Sequence, residues 1–589
     1  MKRKYAFLAL AMVLIILGAM LSNAIDTDFG AIKTERICLV DDDGYTVTAA
    51  LFVPKSATAA NPAPAMIICP GGDCASDIGM PWANELARRG YVVALADYTG
   101  SGDTEANPNA QYWTANGAME LDTLYDFLEG CAFVDAEKIG CGGHSMGSLY
   151  SYRLSTKRNV KLVISDVVYS DAMPTHDFDF VQITATNDEG IMARLNEFED
   201  IYYDPFMTQL FGVEKLEPNV VVGEWGKNAR VFYQLNQTHQ DDMISGQFIS
   251  LMVQSTMNSM PAPNPIDASD MTYGWKIVGL GIAIIGVAMM LFSLAGILLD
   301  SDLFGSLKLT APEQTPGFEP KSKKWWLFAT IYTLIPVAFF FPGTGIGNKM
   351  ASNSLFQLGT TPNGYMVWTL LAAAGMLVYF VAYHFIHGKK NGGTVSSYGF
   401  ATSDDGKFKL CYVLKSAVFS LILFLAGYFV ILLLYRYAKT DLHIWTSSLR
   451  PLNAARSSTM PWYFLAMVPY FAMVMLAGNS LKVKGDINTV GGMVKNVICS
   501  TLIALVGMTI LLAIHEVVLR VGGKPMITLN FAHFYLDLLT NTLPTFGIAS
   551  ALCIYIRKKT NSFYAGILIG AAIVAYSMVS SNCIAMIIS

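Results

Sequence analysis

Ser145 has the surroundings in this chain that best suit chemistry. It lies in Lys138-Ile139-Gly140-Cys141-Gly142-Gly143-His144-Ser145-Met146-Gly147-Ser148, and a helix-compatible run continues through Leu149, Tyr150, Tyr152 and Leu154. A strand that turns sharply into a helix holds a serine at its apex in a strained backbone conformation. Glycines two before and two after the serine have a steric reason, since a Cβ at either place would meet the neighbouring strand or helix. The helix that begins there lends its N-terminal dipole and free N–H groups to a developing oxyanion. A serine nucleophile also needs a base to take its proton and an acid to orient that base.

The elements that would position such a site occupy only part of the chain. Of 589 residues, 53% are apolar and 14% charged, with a net charge of -5. That is too apolar for an all-soluble protein, and the balance argues against a nucleic-acid surface. Residues 25–257 read as a soluble domain, 258–274 (Asn258-Ser259-Met260-Pro261 onward) as a linker, and 275–589 as a series of long apolar runs. The nine cysteines show no CxxC or Cys/His metal spacing, so neither a zinc site nor any other metal is expected. No Walker loop or dinucleotide fingerprint appears, and no cofactor is expected. Lys2-Arg3-Lys4 precedes an apolar run from Tyr5 to Leu21 and a small-residue stretch at Ser22-Asn23-Ala24. This form, over residues 1–24, is a signal peptide or an N-terminal membrane anchor, and either would export the soluble domain.

Residues 35–53 alternate around Asp41-Asp42-Asp43-Gly44 as a β-hairpin should. Strand and helix patterns then alternate: Ala65 to Cys69, Trp82 to Arg89, Tyr91 to Ala96, a helix over 114–129 and the strand into Ser145. Lys161 to Val168, Phe180 to Ala185, a helix near 190–201 and Ala229 to Leu235 continue the series. The alternation predicts an α/β fold with a mostly parallel sheet flanked by helices.

Residues 35–255 resemble the α/β-hydrolase superfamily, closest to its dienelactone-hydrolase-like and small-esterase members. The resemblance rests on Pro70-Gly71-Gly72, Asp97-Tyr98-x-Gly100-x-Gly102, Val134-Asp135-x-x-Lys138-Ile139 and Gly143-His144-Ser145-Met146-Gly147. Pro70 stands where the family often has His, and Ser148 where a further Gly is common. The resemblance implies a serine hydrolase acting on a carboxylic ester or thioester, with triad order Ser, acid, His. It places the base at His239, after the last strand; His144 lies within the elbow, and His176 comes too early. It places the acid at Asp188 in Thr184-Ala185-Thr186-Asn187-Asp188-Glu189, with Asp171 as the rival and Glu189 next; Asp188 would also serve as a helix cap. The oxyanion donors it implies are the backbone amides of Gly72 and Met146. Few residues separate the sixth and seventh strands, so no large lid is expected, and the 202–228 segment is the candidate for partial cover. The expected substrate is a small-molecule or lipid ester. A transport or sensing protein with a non-catalytic ectodomain is the alternative function.

Beyond the linker lie eight apolar stretches, near 275–299, 325–342, 364–386, 411–435, 461–478, 493–518, 533–556 and 562–588, each near the ~20 residues that cross a bilayer as a helix. Gly279 and Gly286 in the first read as helix-packing positions. Lys415, Asp537 and His515-Glu516 are the charges expected to be buried in this half; Asp537 with His533 is the pair to watch, and snorkelling or helix-end placement accounts for most of the others. If the hydrolase domain lies outside a plasma membrane, the cytoplasmic loops hold fourteen Lys and Arg and the outer loops seven, in the sense of the positive-inside rule. Residues 436–456 dissent, with Arg436, Lys439, Arg450 and Arg456 on the outer side. In a cysteine-free background, a cysteine at position 390 should react with an impermeant thiol reagent only from the cytoplasmic side. Labelling of that cysteine in intact cells would reverse the topology.

Overall fold

The computed structural model describes residues 2–110, 119–167, 173–444 and 446–585. Asp171 lies outside the described residues, as do 111–118 of the expected helix over 114–129. Strands β1 (Ile32–Val40), β2 (Thr46–Pro54), β3 (Ala63–Cys69), β4 (Val92–Ala96), β5 (Val134–Gly143), β6 (Leu162–Ser165), β7 (Asp179–Ala185), β8 (Val221–Val222) and β9 (Arg230–Leu235) form one sheet. Its order is β1-β2-β4-β3-β5-β6-β7-β9-β8. From β4 through β9 neighbours run parallel, whereas β1, β2 and the short β8 pair antiparallel.

Helices α1 (Lys2–Asp26), α2 (Met80–Arg88), α3 (Met119–Glu129), α4 (Met146–Lys157), α5 (Glu189–Met192), α6 (Pro205–Phe211) and α7 (Gly246–Ser259) precede the helical half. Both faces of the sheet are covered, so its central strands are apolar on both sides. Along β3, Ala65, Ile67 and Cys69 pack with Leu121, Leu124 and Tyr150 of α3 and α4. Met66 and Ile68 pack with Trp82, Leu86 and Phe248 of α2 and α7. The strand order and the strand–serine–helix turn make this an α/β-hydrolase fold.

The helical half comprises α8 (Tyr273–Leu299), α9 (Lys323–Gly347), α10 (Thr360–Ile386), α11 (Val395–Tyr398), α12 (Leu410–Leu433), α13 (Ala454–Gly478), α14 (Val490–Gly522), α15 (Ala532–Asp537), α16 (Leu539–Thr560) and α17 (Tyr564–Ser581), with a small hairpin of β10 (Leu442–Ile444) and β11 (Ser447–Leu449). Among the described residues nine helices, α1 included, are long and apolar enough to cross a membrane, which is compatible with a multi-pass membrane protein. Helix α1 lies against α8, where a side chain at Gly279 would meet Ser22 and one at Gly286 would meet Ile15 and Ala11. Lys276 of α8 pairs with Asp26 at one end of this helix pair, and Lys4 pairs with Asp300 at the other. The small-residue stretch Ser22-Asn23-Ala24 falls within α1.

Several expected elements differ. The helix near 190–201 is the single turn α5 followed by a 3₁₀ stretch, because Glu197 and Asp200 form a reciprocal cap that starts a new turn. The seventh span breaks at Leu538 into α15 and α16. The last span stops at Ser581, where Arg456 takes the Asn582 carbonyl and the Ile584 amide donates to the Gly100 carbonyl of the hydrolase half.

The two halves are joined by buried charge. Arg450, 1% exposed, pairs with Asp77 and lies 3.5 Å from Asp97; Arg36 meets both oxygens of Asp441 at 2.7 Å. Burial works against the Arg450 charge, yet the neighbouring Asp77 and Asp97 carboxylates hold its pKa well above the ordinary value. Arg456 donates to the carbonyls of Gly102, Gly100 and Val579, and Lys439 to that of Thr34. Three of the four positive residues that made the 436–456 loop dissent thus satisfy acceptors of the hydrolase half. Removing one partner of a buried pair costs about 3–5 kcal/mol, whereas an exposed pair contributes little. Arg450→Met should therefore lower the thermal unfolding midpoint of the detergent-solubilised chain clearly. Lys482→Ala, which removes the exposed pair with Glu319, should barely move it. Equal midpoints would contradict the joining of the two halves by buried charge.

Candidate active site

Ser145 sits between β5 and α4 with φ 55° and ψ -121°, a backbone region that L-residues avoid and that costs about 1–3 kcal/mol. The flanking glycines make it feasible. A Cβ on Gly147 would strike the carbonyl oxygens of Cys69 and Pro70, and one on Gly143 would strike the backbone of Gly147. The Ser145 amide donates to both carboxylate oxygens of Asp166, at 2.8 and 2.9 Å. The Ser148 hydroxyl accepts from the Asp166 amide at 3.0 Å and shares its one proton between Gly143 O at 2.6 Å and Asp166 Oδ1 at 2.5 Å. Ser148 therefore fastens Asp166 beneath the elbow. The sequence reading missed Asp166. Its only signal is position: it is the first residue after β6, the strand that pairs with β5 on the side toward β7.

His239 and Asp188 come from loops that follow the paired strands β9 and β7, and they meet with Nδ1 to Oδ2 at 2.7 Å. Asp188 also caps α5, accepting from the Ile191 amide at 2.8 Å, so the capping role and the pairing with histidine coexist. The His239 loop is a single 3₁₀ turn held by a Thr238–Asp241 capping box. It is tied to the helical half by Arg520 to Asp241 at 2.9 Å and by Thr540 to Gln240 at 3.0 Å. His144 faces the same cavity as Ser145 and His239. Its ring stacks on that of His239 with centroids 4.3 Å apart, and its Nε2 lies 3.1 Å from the His239 carbonyl. Neither the Gly72 nor the Met146 amide donates a hydrogen bond among the described residues, and both residues line the same cavity as Ser145, Asp188 and His239.

Burial and charge set the protonation of this cluster. Burial opposes the His239 charge, but Asp188 first, then Asp166 and Glu189, hold its pKa well above the ordinary 6.5. Burial raises Asp188, and the His239 charge and the Ile191 amide outweigh it, so this carboxylate stays ionised. Glu189 goes the other way: burial and the nearby Asp537 carboxylate push it well up. Burial and Asp166 do the same to Asp242. Burial and the neighbouring His239 lower His144 to about 4. The cluster therefore favours charge on His239, a neutral His144, and protons on Glu189 and Asp242 rather than on Asp188.

His144, Asp166, His239 and Asp242 offer ligand atoms within 4.8 Å of one another, a grouping that a metal ion could use. The donors are already committed: Asp166 to Ser145 and Ser148, Asp242 to Gln237, and His239 to Asp188. They fit a charge network around the histidine better than an ion.

The site opens on a cavity of about 1320 Å³. No residue of 202–228 lines it. Its far wall belongs to the helical half, including Ile277, Leu280, Asn348, Thr361, Phe534 and Asp537. Asp537 pairs not with His533 but with His515 of α14, at 2.8 Å. His515 is fully buried, which replaces the helix-end placement expected for it.

No family model and no curated protein matches the chain. Among solved structures, it is similar to a hypothetical protein from Pseudomonas aeruginosa at 20% identity, over 23% of this chain and 42% of that one, with a TM-score of 0.21. It is also similar to the Pyrococcus furiosus esterase Pf2001, at 10% identity over 40% and 95% with a TM-score of 0.30. A dienelactone hydrolase from Anabaena variabilis aligns at 12% identity over 39% and 97%, with a TM-score of 0.29. The chain spans less than half of the first of these.

Histidine NMR of the labelled full chain, with His239→Gln for assignment, tests the electrostatics directly. His239 should titrate above 6.5, and Asp188→Asn should move its midpoint down because the first favourable charge is lost. A midpoint below that value, unmoved by Asp188→Asn, would contradict the pairing.

Proposed function

We propose that the chain is a membrane-bound serine hydrolase that cleaves a carboxylic ester or thioester through an acyl-enzyme at Ser145. The observation that carries this reading is the 2.7 Å contact between His239 Nδ1 and Asp188 Oδ2, beside a serine at positive φ on a strand–helix elbow. With Nδ1 facing Asp188, Nε2 of His239, once the ring has given up its extra proton at a pH above its raised pKa, is the nitrogen left to take the Ser145 proton. Serine Oγ then attacks the acyl carbon, and the carbonyl electrons move to an oxyanion held by the amides of Gly72 and Met146. Each such donor typically contributes roughly 3 kcal/mol to the transition state. Collapse breaks the bond to the alcohol or thiol, which leaves with the proton from His239. Water, deprotonated by the same histidine, then releases the acid and restores the serine.

The upward shifts of Glu189 and Asp242 suit this cycle, because they leave Asp188 as the carboxylate against which the imidazolium forms. In this reading the hydrolase half lies outside the membrane, and the membrane-capable helices hold it there. The loop bias in Lys and Arg supports that orientation, and the dissenting arginines 450 and 456 are those bound to hydrolase acceptors.

The test is labelling of the full chain with a fluorophosphonate together with ester turnover. Wild type should label and Ser145→Ala should not. Asp188→Asn should lose turnover by a factor on the order of 10⁴. Equal labelling of wild type and Ser145→Ala would sink the serine mechanism.

A further inference from the structure

The cavity that holds Ser145 continues along a membrane-capable helix. Ile277, Leu280, Gly281, Ile284 and Ile285 of α8 all line it, and their spacing marks one helical face. Trp275, at the hydrolase end of α8, is 61% exposed, as befits an interfacial aromatic residue. Ile285 lies about 15 Å farther along the helix, at about 1.5 Å per residue. The hydrocarbon core is about 30 Å thick, so the lining reaches through roughly one leaflet. A Cβ on Gly281 would meet nothing within 4 Å. Ile277 and Ile285 are 42% and 58% exposed, and Phe531 on the facing wall is 56% exposed.

We infer that the substrate is a long-chain lipid ester that enters sideways from the leaflet next to the hydrolase half, its acyl chain lying in the slot between α8 and residues 531–538. This inference rests on the serine-hydrolase reading and adds the substrate class to it. The cavity, about 1320 Å³, exceeds the roughly 300–1,000 Å³ of ordinary small-ligand sites. A short, water-soluble ester has no use for an apolar arm at hydrocarbon depth, where water filling the slot would be unfavourable. A lipid chain instead exchanges one apolar surrounding for another while its ester end reaches Ser145. Asn348, Thr360 and Thr361 on the same cavity give the polar remainder of the molecule its hydrogen-bonding wall.

The test uses the full chain in phosphatidylcholine nanodiscs, with the p-nitrophenyl esters of butyrate and palmitate. Wild type should favour palmitate in kcat/KM by about tenfold or more, since each methylene moved from water into the leaflet that feeds the slot contributes about 0.8 kcal/mol. Gly281→Trp and Ile285→Trp, which fill the slot, should lower the palmitate-to-butyrate ratio at least about tenfold. Independently of any variant in the slot, a phosphatidylcholine with a diazirine in its acyl chain should crosslink Ser145→Ala protein at Met243 or Ile244, cavity residues of the hydrolase half. A wild-type preference for butyrate, a ratio unmoved in both variants, or crosslinks confined to the helical half would overturn the lipid assignment, while Ser145 labelling would still stand. Loss of Ser145 labelling in the wild type would instead overturn the hydrolase reading itself.

Discussion

A serine held at positive φ is the constraint on which the rest of this structure depends. Such a backbone persists only where its surroundings over-determine it, and here three features do so. Gly143 and Gly147 let β3, β5 and α4 close on one another without a side chain between them. The Asp166 carboxylate takes the Ser145 amide on both oxygens, and Ser148 fixes that carboxylate in turn. The carboxylate is therefore structural before it is electrostatic, and its second effect is to raise the pKa of His239.

The helical half completes the site rather than merely anchoring it. It walls the cavity with α8 and residues 531–538, and it braces the His239 loop through Arg520 and Thr540. Through Asp537 it also pushes Glu189, the neighbour of Asp188, toward its neutral form. Buried charges at the junction favour one docking geometry, because Arg450 separated from Asp77 and Asp97 would leave unpaired charges in an apolar setting. The docked arrangement brings α8 and residues 531–538 to the wall of the cavity that holds Ser145.

Much of this was legible in the sequence because it is local. The elbow glycines, the strands around Ala65–Cys69 and Phe180–Ala185, and the apolar runs are all set by spacing within a few residues. The meeting of Asp188 and His239 was legible through the resemblance, since the fold brings the ends of β7 and β9 together. What was missed joins residues far apart in the chain. Asp166 carries no motif, and its role exists only because β6 lies beside β5. Asp537 was matched with His533 by one-turn spacing, yet its partner His515 comes from another helix. The arginines at 450 and 456 read as a topological dissent because their acceptors lie more than three hundred residues earlier. Cover for the site was sought in 202–228, whereas it comes from helices that the hydrolase fold does not contain.

The most direct measurement is an experimental structure of the full chain in nanodiscs after reaction with a hexadecyl fluorophosphonate. The account predicts phosphorus bonded to Ser145 Oγ, its oxygen within hydrogen-bonding reach of the Gly72 and Met146 amides, and the alkyl chain lying against Ile277–Ile285 of α8. An unmodified Ser145, or phosphorus on another residue, would contradict it.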